Sequence, residues 1–209
     1  MDYNIHMNKN NHGFTLIELI VTMAVVSIVL LTGIPALNQM TANNRLVTQI
    51  NSIAGSLAIA RSEAIKTGSA VTICASSDSA TCDVTTWHSG WIVFTDQNKD
   101  NAINGSSDTR INIQGPLNGG TTLTLTLNDA GSGGIYQFLP DGSSRDRDVS
   151  GTTVGTFTLC PPQGTLTTAQ QEAKAKAINV NFIGRASRAQ GADETEKPVH
   201  DAAGDDISC

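Results

Sequence analysis

Residues 14–37 of this 209-residue chain form an apolar run that leaves few folds open. Between Leu19 and Leu31 only Thr22 and Ser27 interrupt the apolar side chains, and after Glu18 no charge appears until Arg45. As an α-helix rising about 1.5 Å per residue, the run measures roughly 36 Å, enough for a hydrocarbon core of about 30 Å. Glu18 complicates a plain membrane helix, because a carboxylate well inside one costs on the order of 2.5 to 3.5 kcal/mol. A cut between Gly13 and Phe14 would supply the compensating charge. The new α-amine would lie one helical turn from Glu18, where the positive end of the helix dipole also favours a carboxylate.

The stretch Gly13-Phe14-Thr15-Leu16-Ile17-Glu18-Leu19, preceded by a short polar leader, closely resembles the class III signal of type IV pilins and type II secretion pseudopilins. The resemblance implies that a prepilin peptidase cuts after Gly13 and methylates the amine of Phe14. It also implies that Glu18 pairs with a neighbouring subunit's terminal amine during assembly. Two other uses of such a run compete. A secretory signal peptide would need a small-residue cleavage site after it, and residues 32–37, Thr-Gly-Ile-Pro-Ala-Leu, make a poor one. A plain anchor accounts for the hydrophobicity and leaves Glu18 and the abrupt Gly13-Phe14 boundary unexplained.

The chain beyond the run has the size of one compact domain. The net charge of −6 is unevenly placed: residues 193–209 hold six acids and one Lys, so the rest is nearly neutral. A globally basic nucleic-acid surface is thereby excluded, and any anion site must be a local cluster. Four cysteines, Cys74, Cys82, Cys160 and Cys209, all lie after the anchor, which suggests an oxidising periplasm. Lys9 before the run, with little positive charge just after it, agrees with a cytoplasmic N-terminus. Four cysteines allow three pairings. Proximity favours Cys74 with Cys82, and elimination then leaves Cys160 with Cys209.

In chain order, residues 1–13 read as a leader absent from the mature protein, with Met7 a second candidate start beside Met1. Residues 14–40 read as the transmembrane or filament-core helix, in which Gly33 and Pro35 predict a kink or local unwinding. Residues 41–68 read as its amphipathic continuation: Leu46, Ile50, Ile53, Leu57, Ala60 and Ala64 recur at helical spacing, and Gly68 suits the C-cap. The remainder, 69–209, reads as a periplasmic β-rich domain with an acidic tail. Strands are expected at 70–75, 90–95, 110–114, 121–128, 135–139, 153–160 and 177–183, with turns at 131–134 and 140–142. Residues 163–176 read as an exposed loop or a short surface helix. This order, with Trp87, Gly90-Trp91-Ile92-Val93-Phe94, Asp96 and a late Gly184-Arg185, resembles the GspH/FimT/FimU branch of the pilin family.

Motifs for catalysis are lacking: there is no G-x-S-x-G, C-x-x-C or H-E-x-x-H, and His6, His12, His88 and His200 show no metal spacing. Asp96, Asn98 and Asp100 stand at the alternate positions of a calcium loop, but Asn101 replaces the usual Gly and Ser107 the bidentate Glu. The competing account is a polar connection in which Asp and Asn make turns. Near the C-terminus, Arg185 and Arg188 resemble, with one residue of extra spacing, a G-R-x-R element that contacts DNA phosphates in FimT-like pilins. Arg145 and Arg147 would join them only if the fold brings them near. So few cations would bind DNA weakly and in a salt-sensitive way, against the opposing tail. They would otherwise pair with that tail or with another subunit.

The expectation is therefore an α+β pilin fold, a long helix packed on an antiparallel β domain, with no enzymatic activity and no cofactor beyond the calcium candidate. The resemblance implies a minor type IV pilin at or near the filament tip, serving motility, adhesion or DNA uptake, or else a GspH-like pseudopilin of type II secretion, or a DNA-binding tip module. Its implied partners are other minor and major pilins, prepilin peptidase and the inner-membrane assembly platform. Its implied location is the inner membrane with a periplasmic domain, and then the pilus.

Overall fold

The computed structural model describes residues 14–82, 86–104, 108–127, 131–145, 155–162, 168–189 and 209. The leader with Gly13, Ser107, Arg147 and the acidic tail lie outside them. Helix α1 runs Leu16–Thr67, and the chain forms two compact units that meet at Asn44 and Arg45.

In the first unit, every large apolar side chain from Phe14 to Met40 is exposed. The hydroxyls inside the run are spent on the helix itself: Thr22, Ser27 and Thr32 donate to the carbonyls of Leu19, Met23 and Ile28. Each thereby avoids the cost of an unpaired polar group in an apolar surrounding. The helical assignment is continuous through Gly33 and Pro35, with no unwound residue. Proline carries no N–H, so the Leu31 carbonyl lacks its usual donor four residues on.

The second unit begins with the rest of α1. Its buried face is the one the spacing picks out, Leu46, Ile50, Ile53, Leu57, Ala60 and Ala64, together with Gln49 and Ser56. The helix closes with the Gly68 N–H donating to Ala64. Against this face lie two antiparallel sheets. The first has the order β3-β2-β1-β6, from Arg110–Gln114, Trp91–Thr95, Val71–Ala75 and Ile135–Phe138. The second has the order β5-β4-β7-β8-β9, from Gly131–Ser132, Thr122–Leu127, Gly155–Cys160, Lys176–Val180 and Ala186–Arg188.

Strand β4 shows the alternation at work: Leu123, Leu125 and Leu127 are buried among Phe157, Leu159, Val180 and the helix face. Trp91 reaches α1 through its indole N–H, which donates to Ser56 Oγ at 2.9 Å, so a polar residue on the buried face is satisfied by an aromatic one. Trp87, in a 3-10 turn Trp87–Ser89, donates to the Gly133 carbonyl and packs edge-on to Phe157.

Two details depart from the sequence expectations, and a third settles an alternative. Residues 131–132 are not a turn but a short edge strand pairing with Leu127 and Thr126. The last long strand stops at Val180, because Asn181–Gly184 turns back into β9, which pairs Ala186 with Val180. Residues 168–174 form a short helix, α2, settling the loop-or-helix alternative there.

Disulfides join Cys74 to Cys82 and Cys160 to Cys209. The second closes the longer loop, with a separation of 49 residues, and ties the last residue to β7. In the loop-entropy description such a closure contributes about 4 kcal/mol, and measured losses fall at roughly 2–5. Replacing Cys160 and Cys209 together by Ala should lower the stability by roughly 2 to 4 kcal/mol and leave the Cys74–Cys82 bridge intact. Denaturant melts with thiol counting check both.

Candidate functional site

Three regions carry residues singled out from the sequence. At the start of α1, the Glu18 N–H donates to Thr15 Oγ1 at 3.3 Å, and the helix begins at Leu16. Thr15 therefore stands at the N-cap with Glu18 three residues on, the Thr-x-x-Glu spacing of a capping box. Glu18 also falls in the first turn, where the helix dipole favours an anion. The local geometry thus starts the helix at this residue pair and fixes the carboxylate at its first turn. Phe14, 86% exposed, lies just ahead of it.

The second region is the loop after β2. Asp96 is fully buried, and its carboxylate accepts from Thr72 Oγ1 at 3.0 Å, Gln137 Nε2 at 2.7 Å, and the backbone N–H groups of Asp100 and Asn101 at 3.2 and 3.0 Å. Arg145 extends the network by donating to Gln137 Oε1 and Asn101 Oδ1. Asp100 accepts from the Ala102 N–H and from the side chains of Asn98 and Asn104. Those contacts, the Asn104 side chain first, hold its carboxyl below the usual carboxylate range.

The calcium candidate Asp96, Asn98 and Asp100 is thus met by donors where a cation would stand, and Asp96 points inward to join β1, β6 and the loop. Among the described residues no group of three or more His, Cys, Asp or Glu is placed to hold a metal. These contacts are ones that a polar connection makes when Asp and Asn form turns. Asp96→Ala would leave the buried Thr72 hydroxyl and the N–H groups of Asp100 and Asn101 without the acceptor they share, at a cost of about 2 to 3 kcal/mol. A denaturant melt of that variant, expected to shift by this amount, checks whether the network is structural.

The two C-terminal arginines differ in their contacts. Arg188, on β9 opposite Ile178, donates to Asn51 Oδ1 on α1 at 2.7 Å. Arg185 is exposed beside the 181–184 turn, its backbone N–H bound to Asn181 Oδ1. Arg145 belongs to the Asp96 network. Arg147 and the acidic tail lie outside the described residues, so neither the wider arginine cluster nor pairing with the tail is drawn.

Sequence reasoning passed over Arg61. Its Nε donates to the Gly142 carbonyl at 3.1 Å and its Nη2 to the Ile183 carbonyl at 2.9 Å. It therefore joins α1 to the turn after β6 and the turn after β8, one from each sheet. Its place among apolar neighbours at helical spacing was the available signal. His88, the one described histidine, keeps Nδ1 buried without a hydrogen-bond partner, while its carbonyl accepts from the Leu117 N–H.

Residues 49–184 match a family model described as type II transport protein GspH. Residues 8–34 match a model described as the prokaryotic N-terminal methylation motif. No curated protein matches. Two solved structures of the type IV minor pilin FimU of Pseudomonas aeruginosa strain PAO1 are similar, with TM-scores of 0.49 and 0.44. Each is 18% identical over 72% of this chain and 92% of that chain.

Proposed function

The chain belongs to the GspH family of type II transport proteins, and from that membership we propose that it is a minor pilin of the FimU/FimT type, built into a type IV pilus at or near its tip. The family is structural, not enzymatic. The observation that carries the proposal is the capped carboxylate Glu18 at the head of the exposed apolar stretch of α1 up to Met40, inside a segment that matches the methylation motif.

In this reading prepilin peptidase cuts after Gly13 and methylates Phe14. The helix of residues 14–40 then rests in the inner membrane with the β domain in the periplasm, and the assembly platform lifts it into a filament of other pilins. Burial of apolar surface contributes about 25 cal/mol per Å², so the exposed residues from Phe14 to Met40 supply a driving force that suits either a bilayer or a filament core. Gly33 and Pro35 stand where the helix would bend or loosen between those states. Motility, adhesion or DNA uptake would follow from the pilus and not from chemistry of this chain.

Mass spectrometry of the mature protein tests the processing. The expected result is a chain beginning with N-methylated Phe14, and an intact leader overturns the proposal. The name of the matched family favours a second reading, a minor pseudopilin of type II secretion. A deletion strain separates the two: loss of surface pili with normal secretion supports the pilus, and the reverse supports the secretion machine.

A further inference from the structure

We propose that Asn118-Gly119 is a site of spontaneous covalent modification, at which the fold activates the Gly119 backbone nitrogen to attack the Asn118 side chain and leave aspartate or isoaspartate at position 118. Asparagine is among the thermolabile residues, and a following glycine, having no Cβ, leaves the attacking nitrogen uncrowded. The chain contains two such pairs, Asn104-Gly105 and Asn118-Gly119. Their asparagines stand in different surroundings.

The Asn104 carboxamide is engaged at both ends: Nδ2 donates to Asp100, and Oδ1 accepts from Asn98 Nδ2 at 3.3 Å. Attack on its carbon would have to break both contacts. Asn118 and Gly119 are exposed. Among the described residues neither the Asn118 carboxamide nor the Gly119 N–H has a hydrogen-bond partner. The electrophile is therefore free to turn, and the nucleophile is free to lose its proton.

Two groups favour that loss. Without its proton the peptide group carries negative charge, spread from the Gly119 nitrogen to the Asn118 carbonyl oxygen. Gln49 Nε2 donates to this oxygen at 2.8 Å. The Arg45 guanidinium lies over Gly119, where a Cβ would fall 1.8 Å from Nη1 and 2.7 Å from Cζ. A donor on the charged form and an opposite charge beside it both favour ionisation. Among the described residues no carboxylate neutralises Arg45; Lys66 with Glu63 is the ion pair found.

In the first step the Gly119 nitrogen gives its proton to water and bonds to the Asn118 side-chain carbon. The bond to the amide nitrogen breaks, ammonia leaves, and a cyclic imide remains. Water then opens the ring at either carbonyl. Opening at the side-chain carbonyl yields aspartate, and opening at the main-chain carbonyl yields isoaspartate, with the chain now running through the side-chain carbon. Overall an amide and a water become a carboxylate and an ammonium ion. In isoaspartate the new carboxylate is the former main-chain carbonyl, the group that Gln49 meets next to the residue on which Arg45 lies. A charge-assisted bond from Gln49 thus favours this product.

The full chain in detergent micelles, incubated at neutral pH and sampled over time, provides the test. Peptide mass spectrometry with electron-transfer fragmentation reads aspartate and isoaspartate at positions 104 and 118. Conversion at Asn118, with isoaspartate in excess, is expected to run well ahead of conversion at Asn104, and the two should converge when the same chain is held in urea. Arg45→Gln should slow Asn118 about fivefold, the effect of a unit charge at contact distance in water, while Arg45→Lys keeps most of the rate. An Asn118 that stays intact, or that reacts no faster than Asn104, overturns the site. A rate unchanged in Arg45→Gln, or a lead over Asn104 that persists in urea, overturns its activation by the fold.

Discussion

Gly184→Ala is expected to cost about 4 kcal/mol or more, at the exceptional end for a single methyl group. Gly184 has φ +74°, and a Cβ added to it would fall 1.9 Å from the Gly142 carbonyl oxygen, 3.1 Å from that carbonyl carbon and 3.2 Å from Phe138 Cδ1. The first two are backbone atoms, which cannot swing aside. They belong to the turn after β6, itself held by Arg61 at Gly142 and by the Ser144 N–H donating to the Phe182 carbonyl. Relief of the clash must therefore pull the turn of one sheet away from the turn of the other, just where the guanidinium of Arg61 joins both to α1. With about 2–4 °C of Tm per kcal/mol for a chain of this size, the melt should fall by roughly 8 to 16 °C.

Gly119→Ala supplies the contrast. Its Cβ would also fall impossibly close to an atom, but that atom is the end of the exposed Arg45 side chain, free to rotate away. What remains is the cost of a positive φ, about 1 kcal/mol. Melts of both variants in detergent measure the difference. Equal losses would show that the Gly184 clash relaxes more cheaply than the packing allows.

The same residue shows where sequence reading stops. Gly184-Arg185 is visible as a family mark and as the start of an arginine element, so attention falls on the arginines. The glycine's role depends on Gly142, 42 residues earlier, and no local pattern announces a close approach between two turns. The buried helix face, by contrast, is legible because it obeys a 3.6-residue period that burial alone imposes. Gln49 and Ser56 occupy that period too, yet polarity argues against burial until their partners, the Asn118 carbonyl and the Trp91 indole, are in place.

Asp96 shows the same limit. The alternation Asp96-Asn98-Asp100 is the same whether oxygens converge on a cation or accept from protein donors, and the donors of Thr72 and Gln137, supplied by other strands, are invisible in it. Chain-local features, namely the apolar run, the helix period and the β4 alternation, could be read. Features made by pairs of distant residues could not. The disulfides escape this because so few pairings were open.

Glu18→Gln should abolish incorporation into filaments while leaving membrane insertion intact. The choice of glutamine follows from the structure. Thr15 caps the helix by accepting from the backbone N–H of residue 18, and Gln fills the third position of a capping box as well as Glu does. Glu18→Ala keeps that backbone bond but removes the whole side chain from the first turn along with its charge, so a defect in it alone would be ambiguous. Glu18→Gln removes the charge and little else.

If the carboxylate works by pairing with a neighbour's terminal amine, both variants assemble poorly and to the same degree, because the ion pair is gone in each. If Glu18 serves only to start its own helix, Glu18→Gln assembles normally and Glu18→Ala is weakened slightly. Insertion itself should change little in either, since Glu18 stands in the first turn of the helix and not at its centre, where a carboxylate costs on the order of 2.5 to 3.5 kcal/mol. The measurement is the amount of this chain in sheared surface filaments against the amount in the membrane fraction. A normal ratio for Glu18→Gln would leave the apolar surface of α1 as the sole driving force and remove the ion pair from the mechanism.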